Sequence, residues 1–153
     1  MAVILLAIFV ISPDRLKYVC GIGAVGIAGG LSAEVVKLLI CRSRPNHFEF
    51  EHHQILDSFQ GILPLLSGGG AWQCFPSAHT ATAVEFAVAL ALHFPRARWL
   101  CSSLAILVGL QRIEDGQHFA SDVLMGAAVG WTAAQIALLA GVRNSAIKRS
   151  YSV

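Results

Sequence analysis

The 153-residue chain is mostly apolar: hydrophobic residues make up 56% of it and charged residues 13%, and the mean hydropathy is +0.65. Soluble domains carry about 25% charged residues, so the composition indicates a membrane protein. A net charge of +2, with no long run of Lys and Arg, excludes a nucleic-acid-binding protein, and the four cysteines lack the CxxC spacing of zinc or redox sites.

The N-terminal third contains part of one apolar segment and the whole of another. Residues 1–11 are apolar but about half as long as the roughly 20 residues that cross a bilayer. They also lack the basic start of a signal peptide. We therefore expect the chain to lack the first one to two helices of its bundle. Residues 16–41 form the first full predicted span, and their Gly and Ala residues favour close helix packing.

A long polar segment, residues 42–75, follows this span and is predicted to lie outside the membrane. Segments of this length are usually functional or disordered. Cys41 and Cys74 flank the segment, and two interpretations stay open: a disulfide, if the segment faces an oxidising compartment, or two ordinary thiols. The histidines within it fit a solvated loop better than a metal cluster. They are His47, His52 and His53.

Three further predicted spans, residues 79–94, 99–113 and 118–141, precede a basic tail, residues 142–153. Seven basic residues fall on one side of the membrane in this predicted topology: Arg15, Lys17, Arg96, Arg98, Arg143, Lys148 and Arg149. The positive-inside rule makes that side cytoplasmic, and the tail with it. The prediction is an all-α, multi-pass transmembrane bundle that forms a single domain over residues 1–153.

The opposite side carries four cations that topology does not explain: Lys37, Arg42, Arg44 and Arg112. Lys37 and Arg44 are two helical turns apart, so we expect them to point the same way, and Pro45 to end the helix. Arg42 is predicted to contact lipid headgroups or the loop.

The start of the second full span is a predicted anion site. Ser77 is a candidate N-cap, which leaves the backbone N–H groups of Ala78 and His79 at the positive end of a helix. Glu85 lies deeper in the same span, where it either tunes the site or bonds a neighbouring helix.

Gly116 permits a sharp bend before the last span. Beyond the bend, His118 and Asp122 share one helix face because they are four residues apart. The carboxylate is expected to accept the Nδ1 proton, which leaves Nε2 as a nucleophile; the alternative is a purely structural hydrogen bond. Glu114 and Asp115 are predicted to be exposed turn residues.

These residues together resemble the signature of the type 2 phosphatidic acid phosphatase (PAP2) superfamily, which also includes glucose-6-phosphatase, bacterial acid phosphatases and vanadium haloperoxidases. Its motifs, K-x6-RP, PSGH and SR-x5-H-x3-D, match this sequence between residues 37 and 122. Ala78 replaces the Gly of the second motif and keeps the backbone N–H. Gln111 replaces the Ser of the third motif. The hydrogen bond that the Ser hydroxyl would make is therefore either made by the Gln111 side-chain amide or lost.

The resemblance implies a membrane phosphatase that hydrolyses a lipid phosphate monoester or diphosphate through a phosphohistidine, without a metal or other cofactor. His118 is implied as the nucleophile, Asp122 as the residue that orients it, and His79 as the acid that protonates the leaving group and later activates water. The implied phosphate ligands are Lys37, Arg44, Ser77, Ala78 and Arg112.

The resemblance leaves the substrate open among phosphatidic acid, phosphatidylglycerol phosphate, isoprenyl diphosphates and lipid A phosphates. The site is expected on the non-cytoplasmic face of the membrane, which is the periplasmic side in a bacterium. Two alternatives remain. One is a catalytically inactive membrane protein, if missing helices keep the bundle from closing; the other is a vanadate-dependent haloperoxidase, although those proteins are soluble.

Overall fold

The computed structural model describes residues 27, 30–51, 54–62 and 72–150, with side chains up to residue 140. The predicted partial segment at residues 1–11, most of the first predicted span, and His52 and His53 lie outside the described residues. The described part is mostly helical, as predicted. Its main elements are α1 (residues 30–37), β1 (Ile40–Arg42), β2 (Phe59–Ile62), α2 (Ala78–His93), α3 (Arg98–Glu114) and α4 (Ala120–Ser150).

Helices α2 and α3 form an antiparallel pair. Helix α2 ends at His93, because Pro95 follows two residues later and cannot continue the hydrogen-bond ladder. A short 3-10 turn, Pro95–Ala97, reverses the chain into α3. Phe86, Ala89 and Leu90 of α2 and Cys101 of α3 form a small buried core next to this turn. The pair therefore brings the start of α2 and the end of α3 to the same end of the bundle.

Gly116 turns the chain from α3 into α4. Its φ of +63° lies in the left-handed region that glycine adopts without strain, which confirms the predicted bend. Because α4 begins at Ala120, its first turn lies beside the start of α2 and the end of α3.

Two glycines of α4 let it pack directly on the backbone of α2. A Cβ at Gly126 would overlap the carbonyl oxygen of Ser77, and one at Gly130 would overlap that of Ala81. The equal offset of the two contacts means that the helices run parallel. This G-x3-G spacing is the arrangement that small residues provide in membrane helix pairs, and we had predicted close packing only for the first span.

The outer surfaces of α3 and α4 are apolar. Leucines and isoleucines that are 45–71% exposed lie along both helices: Leu100, Leu104, Ile106, Leu107, Leu124, Ile136 and Leu139. Among the described residues, Ala120–Ala140 is the one stretch both long and apolar enough to cross a membrane, with 21 residues and a mean hydropathy of 1.7. Exposed apolar surfaces of this extent mark contact with lipid or with other protein.

The polar segment between α1 and α2 contains regular structure that the sequence did not predict. Strand β1 pairs antiparallel with β2, and 3-10 turns form at Pro45–His47 and Ile55–Ser58. An isolated bridge also joins Arg42 to Gln73. The segment thus folds back on β1 and lies against the end of the helical bundle.

Candidate active site

Backbone hydrogen bonds join the three predicted motifs at one end of the bundle. The amide of Ser77 donates to the carbonyl oxygen of Asp122 at 3.0 Å, which connects the start of α2 to the first turn of α4. The amide of Asn46 donates to the carbonyl oxygen of Gly116 at 3.1 Å, which connects the segment after β1 to the bend. Three segments far apart in sequence therefore meet at this end.

His79 lies exposed in the first turn of α2. Arg112, Lys37, His118 and Arg44 are all close enough for their charges to act on its imidazole ring. The structure thus brings together the two predicted catalytic histidines and the three predicted phosphate-binding cations.

Arg44 and Arg112 each keep one buried donor without a protein partner. Arg44 Nη1 donates to Gln117 Oε1, and Arg112 Nη2 donates to Asp115 Oδ2 at 2.8 Å. The Nε–H of each arginine, by contrast, is buried and has no hydrogen-bond acceptor among the described residues. A buried donor without an acceptor is costly, so both groups suit an anion bound between them.

Lys37 reaches the site by a different route from the one predicted. Helix α1 ends at Lys37, residues 38–39 form a turn, and the chain continues as β1. The expectation that Lys37 and Arg44 lie two helical turns apart is therefore wrong, and Pro45 begins a 3-10 turn rather than ending the helix. The cause is the pairing of β1 with β2, which holds the chain extended. Lys37 Nζ pairs with the exposed Glu34 at 2.8 Å.

Ser77 is the N-cap of α2, as predicted. The residue is fully buried, and its Oγ accepts from the Thr80 amide at 3.4 Å and lies 3.0 Å from Thr80 Oγ1. The first intrahelical bond is made by Ala81, whose amide donates to the Ser77 carbonyl oxygen. The N–H groups of Ala78 and His79 therefore precede the helical ladder and are available to an anion.

Asp122 is fully buried beside His118, which is 5% exposed, but the predicted hydrogen bond between them is not made. His118 Nδ1 lies 3.8 Å from Asp122 Oδ2. That oxygen instead accepts from the Phe119 amide at 2.7 Å and from Cys74 Sγ at 2.8 Å. These two donors hold the carboxylate in place, so the pairing with His118 is electrostatic rather than hydrogen-bonded.

Arg42 was predicted to contact lipid headgroups or the loop, and the structure shows the second of these contacts: Nε donates to Ser58 Oγ at 2.9 Å. The side chain is only 1% exposed, however, and Nη1 also bonds Asp122 Oδ1, which was not predicted. The sequence missed this bond because the motif selects Arg44, and no local pattern shows which of two nearby arginines turns inward. The inward position of Arg42 could have been predicted from Asp122, because a buried carboxylate requires a cation or several hydrogen-bond donors.

Cys74 belongs to the same buried cluster. Its Sγ also lies 3.3 Å from the Gln117 carbonyl oxygen and 3.6 Å from His118 Nδ1. Burial, together with the hydrogen bond to Asp122, raises the pKa of this thiol to about 12. Cys41 and Cys74 are both free and buried. The structure therefore agrees with two ordinary thiols rather than with a disulfide.

The ligand atoms of Cys74, His118 and Asp122 all lie within 4.8 Å of one another, a spacing that a metal ion could use. Arg42 is bonded to the same carboxylate, however, and its charge repels a cation. The high pKa of the thiol also disfavours the thiolate that a metal would bind. The arrangement therefore suits a hydrogen-bonded cluster that supports His118.

The remaining predicted residues lie around this centre. Glu114 and Asp115 are exposed, as predicted, although Asp115 also pairs with Arg112. His47 is exposed, in keeping with a solvated loop. Glu85, whose role stayed open, is fully buried on α2.

Comparison with known proteins yields consistent matches. The model of the PAP2 superfamily matches residues 16–146. The chain is 38% identical over 123 residues to proteins named Lipid A 1-phosphatase from Rhizobium etli and Rhizobium johnstonii, which covers 78% of the chain and 50% and 48% of those proteins. The chain thus spans about half the length of these curated relatives. The crystal structure of Aquifex aeolicus LpxE shares the fold, with a TM-score of 0.54 at 24% identity, over 88% of this chain and 73% of that one.

Proposed function

Because this chain belongs to the PAP2 superfamily, we propose that it is a membrane-embedded phosphatase that hydrolyses a lipid phosphate through a phosphohistidine intermediate. The observation that carries the proposal is the pair of backbone hydrogen bonds, from Ser77 to Asp122 and from Asn46 to Gly116, that brings the three motifs together at one end of the bundle. Three cations and two imidazoles at one helix N-terminus match the needs of phosphoryl transfer, which depends mainly on positioning and charge neutralisation.

In the first proposed step, His118 Nε2 attacks phosphorus while the bond from phosphorus to the lipid oxygen breaks. His79 donates its proton to that oxygen, so the leaving group departs as an alcohol. In the second step, His79 removes a proton from water, whose oxygen attacks the phosphohistidine and releases inorganic phosphate. The second step restores both histidines.

Charge neutralisation comes from both arginines, Lys37 and the start of α2. The buried Nε–H groups of Arg44 and Arg112, together with the Ala78 N–H, are donors suited to the oxygens of the transferred phosphoryl group. Lys37 and Arg112 pair with Glu34 and Asp115, which are exposed carboxylates, and ion pairs with an exposed partner contribute little. A phosphate group can therefore displace them.

We propose lipid A, through the phosphate at its 1-position, as the leading substrate, because the two Rhizobium relatives carry the name Lipid A 1-phosphatase. We also propose a multi-pass topology with the site on the non-cytoplasmic face. In support, Arg96 in the turn after α2 and Arg98 at the start of α3 lie at the end of this helix pair that is farthest from His79.

The test is phosphate release by the full chain, purified in detergent with EDTA, from lipid A, phosphatidic acid and phosphatidylglycerol phosphate. We expect release from lipid A and a radiolabelled phosphohistidine after a short reaction with labelled substrate. His118→Ala should abolish both, whereas His47→Ala, an exposed histidine outside the site, should retain them. Full activity of His118→Ala would contradict the nucleophile assignment, and strict dependence on an added divalent metal would contradict the metal-free reaction.

A further inference from the structure

Arg42 is a charged residue inside the site that the proposed reaction does not use. Its side chain is 1% exposed, and a guanidinium at such a position is stable only when it is paired and hydrogen-bonded. Its partner is Asp122, which is 0% exposed. The pair lies directly behind His118 rather than among the groups around His79.

The surroundings of Arg42 hold its side chain in one position. Nε donates to Ser58 Oγ at 2.9 Å, and Nη1 donates to Ser121 Oγ at 2.7 Å as well as to Asp122. The guanidinium lies between the rings of Phe59 and Phe119, with its Cζ atom 4.3 Å and 4.1 Å from the two ring centroids. These directed contacts fix both the position and the plane of the guanidinium.

The Arg42 backbone is fixed as well. It belongs to β1, pairs with Phe59 of β2, and accepts a hydrogen bond from the Cys74 amide at 3.2 Å. The folded polar segment therefore presents Arg42 to the bundle as a rigid group.

The charge of Arg42 offsets the negative charge of Asp122 that acts on His118. A buried carboxylate 3.8 Å from the imidazole would, if left unbalanced, favour the protonated ring. A protonated imidazole has no lone pair with which to attack phosphorus. Arg42 balances that carboxylate without touching His118.

We propose that Arg42 is a positioning residue: it balances and orients Asp122, so that His118 stays a neutral, correctly directed nucleophile. The proposal rests on the phosphatase function proposed above.

Arg42→Met leaves the other charged and titratable groups near His118 unchanged. Asp122 faces it from α4, the neutral thiol of Cys74 from the segment before α2, and His79 from the start of α2. The cations around His79 come from α1, the segment after β1, and α3: Lys37, Arg44 and Arg112. A change in the pH dependence of Arg42→Met can therefore be attributed to the loss of Arg42.

The main test is the pH dependence of kcat and KM in Arg42→Met, with Arg96→Met as the matched control in an exposed turn. Removal of the guanidinium leaves the negative charge of Asp122 unbalanced beside His118, which favours the protonated imidazole over the neutral one. The acid limb of kcat/KM should move up by about one pH unit, equal to about a tenfold loss of rate below the limb. KM should change little, since Arg42 is not placed at the phosphate, and Arg42→Lys should restore part of the shift.

Arg42→Met risks misfolding because it leaves a buried charge without a partner. The double variant Arg42→Met with Asp122→Asn avoids that risk, since neither charge remains. If Arg42 acts through Asp122, the double variant should have the same kcat as Asp122→Asn alone. An unchanged acid limb in Arg42→Met, a loss confined to KM, or additive losses in the double variant would overturn the proposal.

Nuclear magnetic resonance of labelled histidine separates this proposal from the proposed function. The protonated fraction of His118 at a fixed pH, assigned by comparison with His118→Gln, should be larger in Arg42→Met than in wild type and unchanged in Arg96→Met. This readout needs no activity. If the wild-type chain released no phosphate, the proposed function would fail, while an unchanged protonated fraction in Arg42→Met would refute the role of Arg42.

Discussion

The amide of Ser77 donates to the carbonyl oxygen of Asp122 at 3.0 Å, and this backbone bond joins the start of α2 to the first turn of α4, which begins two residues after His118, the proposed nucleophile. Gly126 packs against the carbonyl oxygen of the same serine. The spacing between His79 and His118 therefore depends on backbone contacts rather than on flexible side chains.

Gly126→Ala should destabilise the protein and lower activity. The new Cβ would overlap the Ser77 carbonyl oxygen, which cannot move without shifting the start of α2, and overpacking of this kind costs about 1–3 kcal/mol. Gly109→Ala is the matched control, because its Cβ would approach Val123 Cγ1 at 2.8 Å, the end of a side chain that can rotate. Thermal unfolding in detergent compares the two, and equal midpoints would contradict the packing argument.

Gly116→Ala should destabilise the protein by about 1–2 kcal/mol, because an alanine at φ +63° brings its Cβ close to the carbonyl oxygen. Space is not the obstacle, since the nearest atom to the new Cβ would be Asn46 Cβ at 3.5 Å. Gly116→Asn should cost less, because asparagine tolerates this conformation. The measurement is the free energy of unfolding in a denaturant titration, and a larger cost for Asn than for Ala would refute the backbone explanation.

Arg112→Lys should lower kcat/KM for the lipid phosphate by about 100-fold or more, because lysine keeps the charge but loses the buried Nε–H and the planar fork. Asp115→Asn removes the exposed partner of Arg112 and should change kcat/KM by less than about fivefold. Steady-state kinetics at fixed ionic strength measure both. A larger loss in Asp115→Asn than in Arg112→Lys would mean that the salt bridge, not the phosphate contact, matters.

Cys74 should make stability depend on alkaline pH. Burial raises the pKa of its thiol to about 12 in the folded protein, from 9.0 for an unperturbed thiol. The unfolded chain therefore ionises first, so the stabilisation from this thiol is fully present below pH 9.0 and is lost as the pH rises towards about 12. Cys74→Ser should lack this part of the decline. Thermal midpoints of both proteins measured at intervals from about pH 8 upward test this, and parallel curves would contradict it.

The sequence predicted the features of this protein that depend on local chemistry. The Ser77 cap and the bend at Gly116 follow from residue preferences within one turn, and both are present. The spacing of the signature residues also sufficed to select His79 and His118, which the fold brings together.

Features that depend on distant partners were missed. The end of α1 at Lys37 results from pairing between β1 and β2, and four strand residues some twenty positions away carry no periodic signal strong enough to predict that. The inward position of Arg42 requires knowledge of Asp122, which is 80 residues away. Asp122 was predicted to bond His118, but Phe119 and Cys74 compete successfully for the same oxygen.

Phe59 begins β2, all four of whose residues are exposed, and its ring covers the guanidinium of Arg42. The outer surface of this small sheet is therefore connected through one aromatic ring and one ion pair to the proposed nucleophile. We expect a molecule that bound β2 and displaced Phe59 to inhibit the proposed reaction without competing with the phosphate group. Such an inhibitor would be insensitive to substrate concentration, unlike phosphate mimics directed at His79 and the surrounding cations.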